Sequence, residues 1–430
     1  MRADGSRAAS RALARGRPAR YPPRVDHISD TIIVGGGLVG ATLALALAAH
    51  GLSSTVIDRA DLAATRTLGF DGRVSAIASA SARMFRAIGL GPVLDLGCPI
   101  GEIRVTDGLS PLHLHFDARE TDKGPLGWMV ENHVLRGAVL DAIEAQPLIR
   151  LLAPATVDSV DRDEAIVRVH TSAGEVRAPL LVAADGKHSP LRRAAGIRNA
   201  EWDYPATAIV TTIGHEEPHG NIAFELFYPT GPFAILPMLD DAHGRHRSAI
   251  VWTVPARDAL GWLALTPAAL ARAMADKMDG FLGALEILTP ISHYPLRLQH
   301  AQALVAHRLA LVGDAGHAIH PIAGQGLNLG LRDTAALTEV LVDAARLGLD
   351  LGSEAVLAKY QRWRRLDIGA IALATDALSR LFGLPGSAPA AVRRLGLAAV
   401  NGVPRLKRGF MDEARGEAGA LPALLRGELA

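Results

Sequence analysis

One stretch near the start of the chain decides the fold: residues 31–40 read TIIVGGGLVG. Its first four residues are apolar or β-branched and predict a buried parallel strand. The glycines end that strand, and the apolar residues after them predict a helix over 38–50, which Gly51 ends. Residues 31–57 carry no fixed charge, which is also typical of a membrane-spanning segment. The glycines, however, break this run into elements too short to cross a bilayer.

The glycines of this stretch have the spacing G-x-G-x-x-G. Gly35 permits a tight turn, Gly37 lets the backbone approach a pyrophosphate, and Gly40 permits close contact between helix and strand. The N-terminus of the helix points its N–H groups at that anion. A second strand, over 55–57, ends at Asp58, where a carboxylate can accept hydrogen bonds from ribose hydroxyls. Together these residues predict a dinucleotide-binding unit rather than a purely structural turn.

Two further predicted strands are each followed directly by a glycine and an aspartate. Residues 179–184 predict a strand that leads into Asp185-Gly186, and residues 308–312 predict another that leads into Gly313-Asp314. A carboxylate at the carboxyl end of a buried strand is placed to hold the hydroxyl groups of a polyol. Taken alone, Asp185-Gly186 fits an ordinary turn equally well. Its assignment to a ligand site therefore depends on the presence of Gly313-Asp314.

The order and separation of these motifs resemble the class A flavoprotein monooxygenases of the para-hydroxybenzoate hydroxylase type, over residues 30–390. The resemblance implies FAD, bound non-covalently, as the cofactor. It also implies NAD(P)H as a transient co-substrate, which agrees with the lack of a second strand–G-x-G-x-x-G–helix unit. The residues expected to bind the cofactor are Gly35, Gly37, Gly40, Asp58, Arg73, Arg136, Asp185, Gly186, Gly313, Asp314, Gly326, Leu327 and Asn328.

Within that class the chain is most similar to the ubiquinone-biosynthesis hydroxylases of the UbiH/UbiF type. The resemblance lies in GDAGHAIHPIAGQGLNLGLRD at 313–333 and GPFAILP at 231–237. It implies a hydroxylase that uses O₂ and NAD(P)H on a polyprenylated phenol. The chain departs from the subfamily at Ala206, where a glutamine is usual after Tyr-x. The oxygen chemistry belongs to the cofactor, so the residues expected to be catalytic position the flavin and none is a nucleophile: Pro321, Gly324 and Gln325.

Other functions stay open at this point. A class A hydroxylase of a small soluble aromatic and a flavin reductase of isoprenoid chains share the same motifs. A FAD-binding scaffold subunit of a quinone-biosynthesis complex is the alternative outside enzymes. His317 and His320 titrate in a range suited to proton transfer, but we expect them to be hydrogen-bonded structural groups. We expect no metal site.

Composition narrows the class of protein. Of 430 residues, 45 are Lys or Arg and 44 Asp or Glu, so the net charge of +1 gives no sign of nucleic-acid binding. The single cysteine, Cys98, excludes an intrachain disulfide and a Cys-rich metal site. A reducing compartment fits, and we expect a cytoplasmic protein, which could be peripheral on the inner face of the membrane.

The excess of basic over acidic residues lies at the two ends of the chain. Residues 1–24 hold seven arginines and one acid, residues 391–411 hold five basic residues and no acid, and the remainder has 33 basic and 43 acidic residues. We expect residues 1–28 to be a disordered basic leader, or a transit peptide to an organellar matrix. Residues 391–430 predict a basic helical tail, which either lies on an anionic membrane surface or is solvated.

The predicted fold is α/β: a Rossmann-like FAD-binding domain of the GR2 type with an inserted α+β substrate domain on a mainly antiparallel sheet, plus C-terminal helices. The predicted FAD-binding domain comprises 29–103, 128–205 and 295–390, and the substrate domain comprises 104–127 and 206–294. Seven of the 19 aromatic residues lie between 202 and 252. We expect three of them to line an apolar substrate pocket, with core packing as the alternative: Phe224, Tyr228 and Phe233.

Overall fold

A computed structural model describes residues 28–67, 69–318, 325–384 and 386–429. The strands in chain order are β1 (Thr31–Val34), β2 (Ser54–Ile57), β3 (Val74–Ala78), β4 (Cys98–Ile100), β5 (Glu102–Asp107), β6 (His113–Asp117), β7 (Gly127–Glu131), β8 (Ile149–Leu152), β9 (Val157–Arg162), β10 (Val167–Thr171), β11 (Gly174–Ala178), β12 (Leu180–Ala183), β13 (Asn199–His215), β14 (Ile222–Tyr228), β15 (Gly231–Met238), β16 (His246–Pro255), β17 (Leu285–Ile287), β18 (Ser292–Ala301), β19 (Val305–Ala306), β20 (Leu309–Leu311) and β21 (His317–Ala318). The helices are α1 (Leu38–Ala48), α2 (Ser79–Ala87), α3 (Asn132–Ala145), α4 (Pro190–Ala194), α5 (Ala256–Leu263), α6 (Pro267–Lys277), α7 (Gln325–Arg346), α8 (Glu354–Gly383), α9 (Ser387–Gly402), α10 (Pro404–Ala414) and α11 (Ala423–Arg426).

A six-stranded sheet in the order β19-β20-β12-β1-β2-β8 forms the dinucleotide-binding part. All its neighbouring strands are parallel except β19 and β20. Helices α1, α3 and α7 contribute apolar residues to a core against one side of this sheet, and the β9–β11 sheet contributes to a core on the other side. Because parallel strands end at the same edge, the residues after β1, β2, β12 and β20 come together there. The predicted Rossmann-like architecture is confirmed.

A nine-stranded sheet forms the second part of the molecule, in the order β21-β18-β13-β16-β15-β14-β5-β6 with β17 paired to β13. Its pairs are antiparallel except β14 with β5, as the predicted substrate domain requires. The predicted boundaries at 205/206 and 294/295 fall inside β13 and β18, where the register between these two strands shifts between Asp203 and Thr207. The domain division therefore stays a prediction, although the inserted sheet itself is present.

Helices cover both faces of this sheet. Helices α5 and α6 pack on one face, where Phe233 and Trp252 are fully buried. Helices α9 and α10 contribute Leu397, Val400 and Met411 to a core on the opposite face. The C-terminal helices thus belong to the packed structure, and the described helices include none long and apolar enough to cross a membrane. Of the predicted leader, residues 1–27 lie outside the described residues, and Ile28 forms an isolated bridge with Arg177.

Candidate functional site

The glycine turn between β1 and α1 leaves room for an anion at one position only. Gly35 has φ +111°, and a Cβ there would collide with the carbonyl oxygen of Ala184. A Cβ on Gly40 would collide with the carbonyl oxygen of Gly35. A Cβ on Gly37, by contrast, would meet no heavy atom within 4 Å. Gly35 and Gly40 are therefore required for packing, whereas Gly37 faces open space at the N-terminus of α1.

Asp58 lies at the end of β2, beside that turn. Its Oδ2 accepts a hydrogen bond from the Gly36 N–H (2.7 Å), and its Oδ1 accepts one from the Ala60 N–H (2.8 Å). The carboxylate is half-buried, and each oxygen keeps a further lone pair for a hydroxyl donor. Asp58 therefore both holds the glycine turn and can accept hydrogen bonds from ribose.

Asp185 and Gly186 follow β12, next to the same turn. Burial raises the pKa of Asp185, against hydrogen bonds from Ser189 and the Leu191 N–H. Its Oδ1 is buried and accepts no hydrogen bond from the described residues. Unpaired buried carboxylate oxygens are costly, so this atom is suited to a hydroxyl donor supplied by a ligand.

Arg192, on α4, connects this loop to the one after β20. Its Nη1 donates to the carbonyl oxygen of Ala315 (2.7 Å), and its Nη2 donates to that of Lys187 (2.9 Å). The guanidinium is almost fully buried. The structure therefore brings the Asp185-Gly186 and Gly313-Asp314 motifs together through one arginine.

Gly313 and Asp314 begin the loop after β20. Gly313 has φ +59° and packs against the side chain of Val39, which fixes the loop on α1. The side chain of Asp314 is exposed, yet the protein atoms around it disfavour its charged form and raise its pKa, against the nearby charges of His317 and Lys187. An accessible carboxylate with protein atoms around it is suited to hold the hydroxyl groups of a ligand.

A buried network that sequence reasoning missed holds this loop. Asp333, on α7, accepts hydrogen bonds from the Gly313 N–H (2.8 Å), from His317 Nε2 (2.6 Å) and from Arg364 Nε (2.7 Å). Burial would raise the pKa of Asp333, but the charges of His317 and Arg364 outweigh it and lower that pKa. His317 thus has a buried carboxylate partner, which gives it a structural role. The only sequence signal was the position of Asp333 at the end of the 313–333 string.

The two predicted arginines lie on either side of Asp71. Arg73 pairs with its carboxylate at 2.5 Å, and Arg136 Nη2 lies 3.4 Å from the same oxygen. Burial would raise the pKa of Asp71, but hydrogen bonds from the side chain and backbone of Arg73 lower it to about 2. The Nε–H of Arg136 is buried and donates no hydrogen bond to any of the described residues. Arg73 is half exposed, so the pair can present positive charge to a ligand.

Residues 326–328 form the first turn of α7. A Cβ on Gly326 would meet no heavy atom within 4 Å, and Leu327 is partly buried. The side chain of Asn328 is satisfied within the protein: its Oδ1 accepts from the Ala78 N–H and its Nδ2 donates to the Ala76 carbonyl oxygen. Pro321, Gly324 and His320 lie outside the described residues, and the side chain of Gln325 is likewise not described.

The three predicted pocket aromatics lie on the α5/α6 face of the large sheet. Phe233 packs edge-on against Trp252, Phe224 packs against Phe281, and the Tyr228 hydroxyl donates to the Lys277 carbonyl oxygen. These are the contacts of a core, and the assignment of the three to a substrate pocket stays a prediction.

The opposite face bears Ala223, Glu225 and Phe227 of β14, and we call it the cavity face. Phe227 stacks on Phe382 of α8, with ring centroids 4.1 Å apart. Both rings line a cavity of about 420 Å³ at the end of β14. The cavity is lined by Tyr204, Pro205, Ala206, Phe227, Tyr228, Pro229, Thr230, Gly231, Pro232, Thr253, Pro255, Ala256, Arg257 and Phe382. Ala206, the departure from the subfamily pattern, is thus a cavity residue, and Tyr228 is the one predicted aromatic that reaches it.

One cluster has side chains of the types that bind metals. Ligand atoms of Glu102, His115 and Asp117 lie within 4.8 Å of one another. Arg119 pairs with both carboxylates, at 2.9 and 2.7 Å, and Arg104 pairs with Glu102. The positive charge that these carboxylates need is therefore already provided by arginines.

Comparison with known proteins decides the family. The sequence profile described as the FAD binding domain matches residues 29–372. The chain belongs to this FAD-binding family. A ubiquinone hydroxylase, UbiL, of Rhodospirillum rubrum is 46% identical to this FAD-binding protein over 95% of this chain and 96% of that protein. The 3-demethoxyubiquinol 3-hydroxylase of Escherichia coli is 35% identical over 90% and 98%.

Solved structures agree with this assignment. The crystal structure of Pseudomonas aeruginosa PqsL in complex with 2-aminobenzoylacetate superimposes with a TM-score of 0.73 at 26% identity, over 88% of this chain and 100% of that chain. This FAD-binding protein is therefore an FAD-dependent monooxygenase, with FAD as its cofactor.

Proposed function

We propose that this monooxygenase hydroxylates the aromatic ring of a polyprenylated phenol in ubiquinone biosynthesis, with NAD(P)H and O₂ as co-substrates. The observation that carries the proposal is the match, over nearly the full length of each chain, to two hydroxylases of ubiquinone compounds. The apolar cavity of about 420 Å³ supports it, because a prenyl chain needs an apolar, aromatic-lined site.

The residues at the strand edge fit FAD. Gly37 gives an anion free access to the N-terminus of α1, as a pyrophosphate requires. Asp58 would hold the ribose, and the exposed carboxylate of Asp314 would hold the ribityl hydroxyls. The unpartnered Oδ1 of Asp185 would accept a further hydroxyl or N–H donor. Bound FAD would supply the activation of oxygen, since the protein's side chains offer none.

Other residues of the site would orient and shield the cofactor. The first turn of α7, at 326–328, would direct its N–H groups at the pyrimidine edge of the flavin. Arg73 and Arg136 would contribute positive charge near the pyrophosphate. For Pro321, Gly324 and Gln325, the role in positioning the flavin stays a prediction. The network of Asp333 would keep the Gly313-Asp314 loop in place for these contacts.

Product analysis tests the proposed reaction directly. The purified holoenzyme, given NADH or NADPH and a prenylated phenol, should yield a product heavier by one oxygen atom, which derives from ¹⁸O₂. In a deletion strain, the non-hydroxylated precursor should accumulate and disappear on complementation. NAD(P)H oxidation without any oxygenated product would instead favour a reductase, and the absence of both activities would favour a scaffold.

The role of Asp314 has its own test. Asp314→Ala removes the carboxylate proposed to hold the ribityl chain, so we expect at least about a tenfold loss of FAD affinity. The measurement is FAD titration of the apoprotein by fluorescence quenching. Asp350→Ala, which removes a loop carboxylate that pairs with Arg308, is the control and should keep FAD affinity. Unchanged affinity in Asp314→Ala would contradict the assigned role.

We also propose that α9 and α10 contact an anionic membrane surface, where a polyprenylated substrate resides. Four apolar side chains on these helices are roughly half exposed or more: Val392, Leu395, Leu406 and Phe410. Arg405 is exposed beside them. Apolar side chains next to cations are typical of helices that lie in the membrane interface.

A further inference from the structure

Glu225 is a buried carboxyl that no described group binds. It lies in the middle of β14 and is only 8% exposed. Within the described part of the chain, neither a hydrogen-bond donor nor a cation reaches it, and burial alone raises its pKa to about 7. A buried carboxyl without a partner is costly and uncommon, so it points to a donor that the folded chain does not supply.

The strand register shows what surrounds Glu225. Its partners across the sheet are Ala234 on β15 and Val105 on β5. Residues paired across a sheet point to the same face, so both of these apolar side chains lie on the cavity face. Leu226, the next residue, belongs instead to the core under α5 and α6. The carboxyl of Glu225 is therefore an isolated polar group on an otherwise apolar part of the cavity face.

Glu225 lies on the same face of β14 as the cavity, next to the residues that line it rather than among them. Phe227, two residues farther along β14, lines the cavity, and residues two apart on a strand point the same way. The nearest acid on this face by register, Asp107, is paired opposite Phe227 and already binds Arg393 and Arg394, each at 2.9 Å. Those two arginines are thus committed to another carboxylate, and Glu225 keeps its accepting capacity.

We propose that Glu225 accepts a hydrogen bond from the ring hydroxyl of the substrate and so sets the orientation of the substrate in the cavity. This inference rests on the proposed function. A prenylated phenol carries its O–H donors on the ring, while its chain has none. The ring would lie at Glu225, and the chain would extend past Phe227 and Phe382 toward the cavity mouth. Glu225 is then a specificity-determining residue for phenols.

The test compares two probes that differ only in the donor: 2-prenylphenol and its methyl ether. Each is titrated into the FAD holoenzyme, and binding is followed by the change in the flavin absorption spectrum. Wild type should bind the phenol about ten- to hundredfold more tightly than the ether, because a hydrogen bond to a charged group is lost with the ether. Glu225→Leu, an apolar replacement of similar size, should abolish this preference, and Glu225→Gln should keep only part of it.

Affinity for the ether controls for folding, because it should be the same in wild type and in Glu225→Leu. Glu286→Gln, which alters an exposed acid on β17, should keep the full preference. If Glu225→Leu retains the preference, the role of Glu225 is overturned while the proposed function stands. If wild type neither binds 2-prenylphenol nor oxygenates it, the proposed function falls and this inference falls with it.

Discussion

Gly37 and Gly40 lie three residues apart in one turn but have different surroundings. A methyl group on Gly40 would overlap the Gly35 carbonyl oxygen, whereas one on Gly37 would meet open space. Gly40→Ala should therefore lower the free energy of unfolding of the apoprotein by about 2 kcal/mol or more. Gly37→Ala, where φ is −68°, should change it by less than about 1 kcal/mol yet lower FAD affinity, because the methyl group obstructs the pyrophosphate.

Urea denaturation of the apoproteins and FAD titration separate the two effects. The pair serves as its own control, since both substitutions add one methyl group to the same turn. Equal loss of stability in both variants would contradict the description of Gly37 as open. Full FAD affinity in Gly37→Ala would contradict its placement at the pyrophosphate.

Glu225 gives the stability of the protein a defined pH dependence. Its pKa is about 7 in the folded state because of burial, against 4.5 for an ordinary glutamate. Below pH 4.5 the carboxyl is protonated in both states. Between pH 4.5 and 7 the unfolded chain ionises first, so this group lowers the free energy of unfolding as pH rises, by up to about 3 kcal/mol. Above pH 7 the carboxyl is ionised in both states, so its effect on the free energy of unfolding stays constant.

Glu225→Gln removes this contribution. Relative to wild type, the variant should gain about 2.5 kcal/mol in the free energy of unfolding between pH 5 and pH 8, measured by urea denaturation of the apoprotein. The exposed Glu286→Gln should show no such gain. A difference between Glu225→Gln and wild type that does not change with pH would mean that the carboxyl ionises normally in the folded protein.

Helix α7 is joined to α8 by a buried ion pair. Arg364 of α8 is 1% exposed and Asp333 of α7 is fully buried. Arg364→Met leaves Asp333 short of a cation, which should cost about 3–5 kcal/mol in the free energy of unfolding. Arg362→Met, at an exposed position of the same helix, should cost less than about 0.5 kcal/mol. Similar unfolding midpoints for the two variants would show that His317 alone can neutralise Asp333.

At the scale of elements, the sequence predicted what depends on local pattern. The helix expected over 38–50 is α1 (Leu38–Ala48), and the strand expected over 179–184 is β12 (Leu180–Ala183). Glycine spacing and runs of apolar residues are local properties, so they can be recognised without knowing the fold. The pairing of Asp333 with Arg364, 31 residues away, depends on how α7 and α8 pack, and no local pattern indicates it.

The large sheet shows a second feature that the sequence alone could not predict. Residues 222–228 read IAFELFY, with aromatic residues on both faces of β14. Alternation predicts that Phe224 and Phe227 point in opposite directions but not which face meets the cavity, because that depends on where α5, α6 and α8 dock. The informative residue was the acid in this apolar strand, Glu225. Its isolation is visible in the sequence, while its lack of a partner is visible only in the fold.

At the scale of the whole molecule, the sequence predicted the distribution of charge only in part. Of the five basic residues in 391–411, the structure commits three to acids of the substrate sheet region: Arg393 and Arg394 pair with Asp107, and Lys407 pairs with Glu120. Their number was evident from the sequence, but their partners lie nearly 300 residues earlier. These cations therefore bind α9 and α10 to the sheet region. As a result, fewer positive charges can contact a lipid surface than the sequence indicates.

Membrane contact should accordingly depend more on apolar side chains than on charge. Wild type should co-sediment with phosphatidylglycerol-containing vesicles, more weakly with phosphatidylcholine alone, and should keep part of its binding at 0.5 M salt, where charge is screened. Leu395→Asp with Phe410→Asp should abolish binding, because charged side chains resist burial in the interface. Leu260→Asp, at an apolar residue of α5 that is 79% exposed, should bind as wild type does. If the double variant still co-sediments, α9 and α10 are not the contact surface, and loss of binding in Leu260→Asp would place that surface on α5 instead.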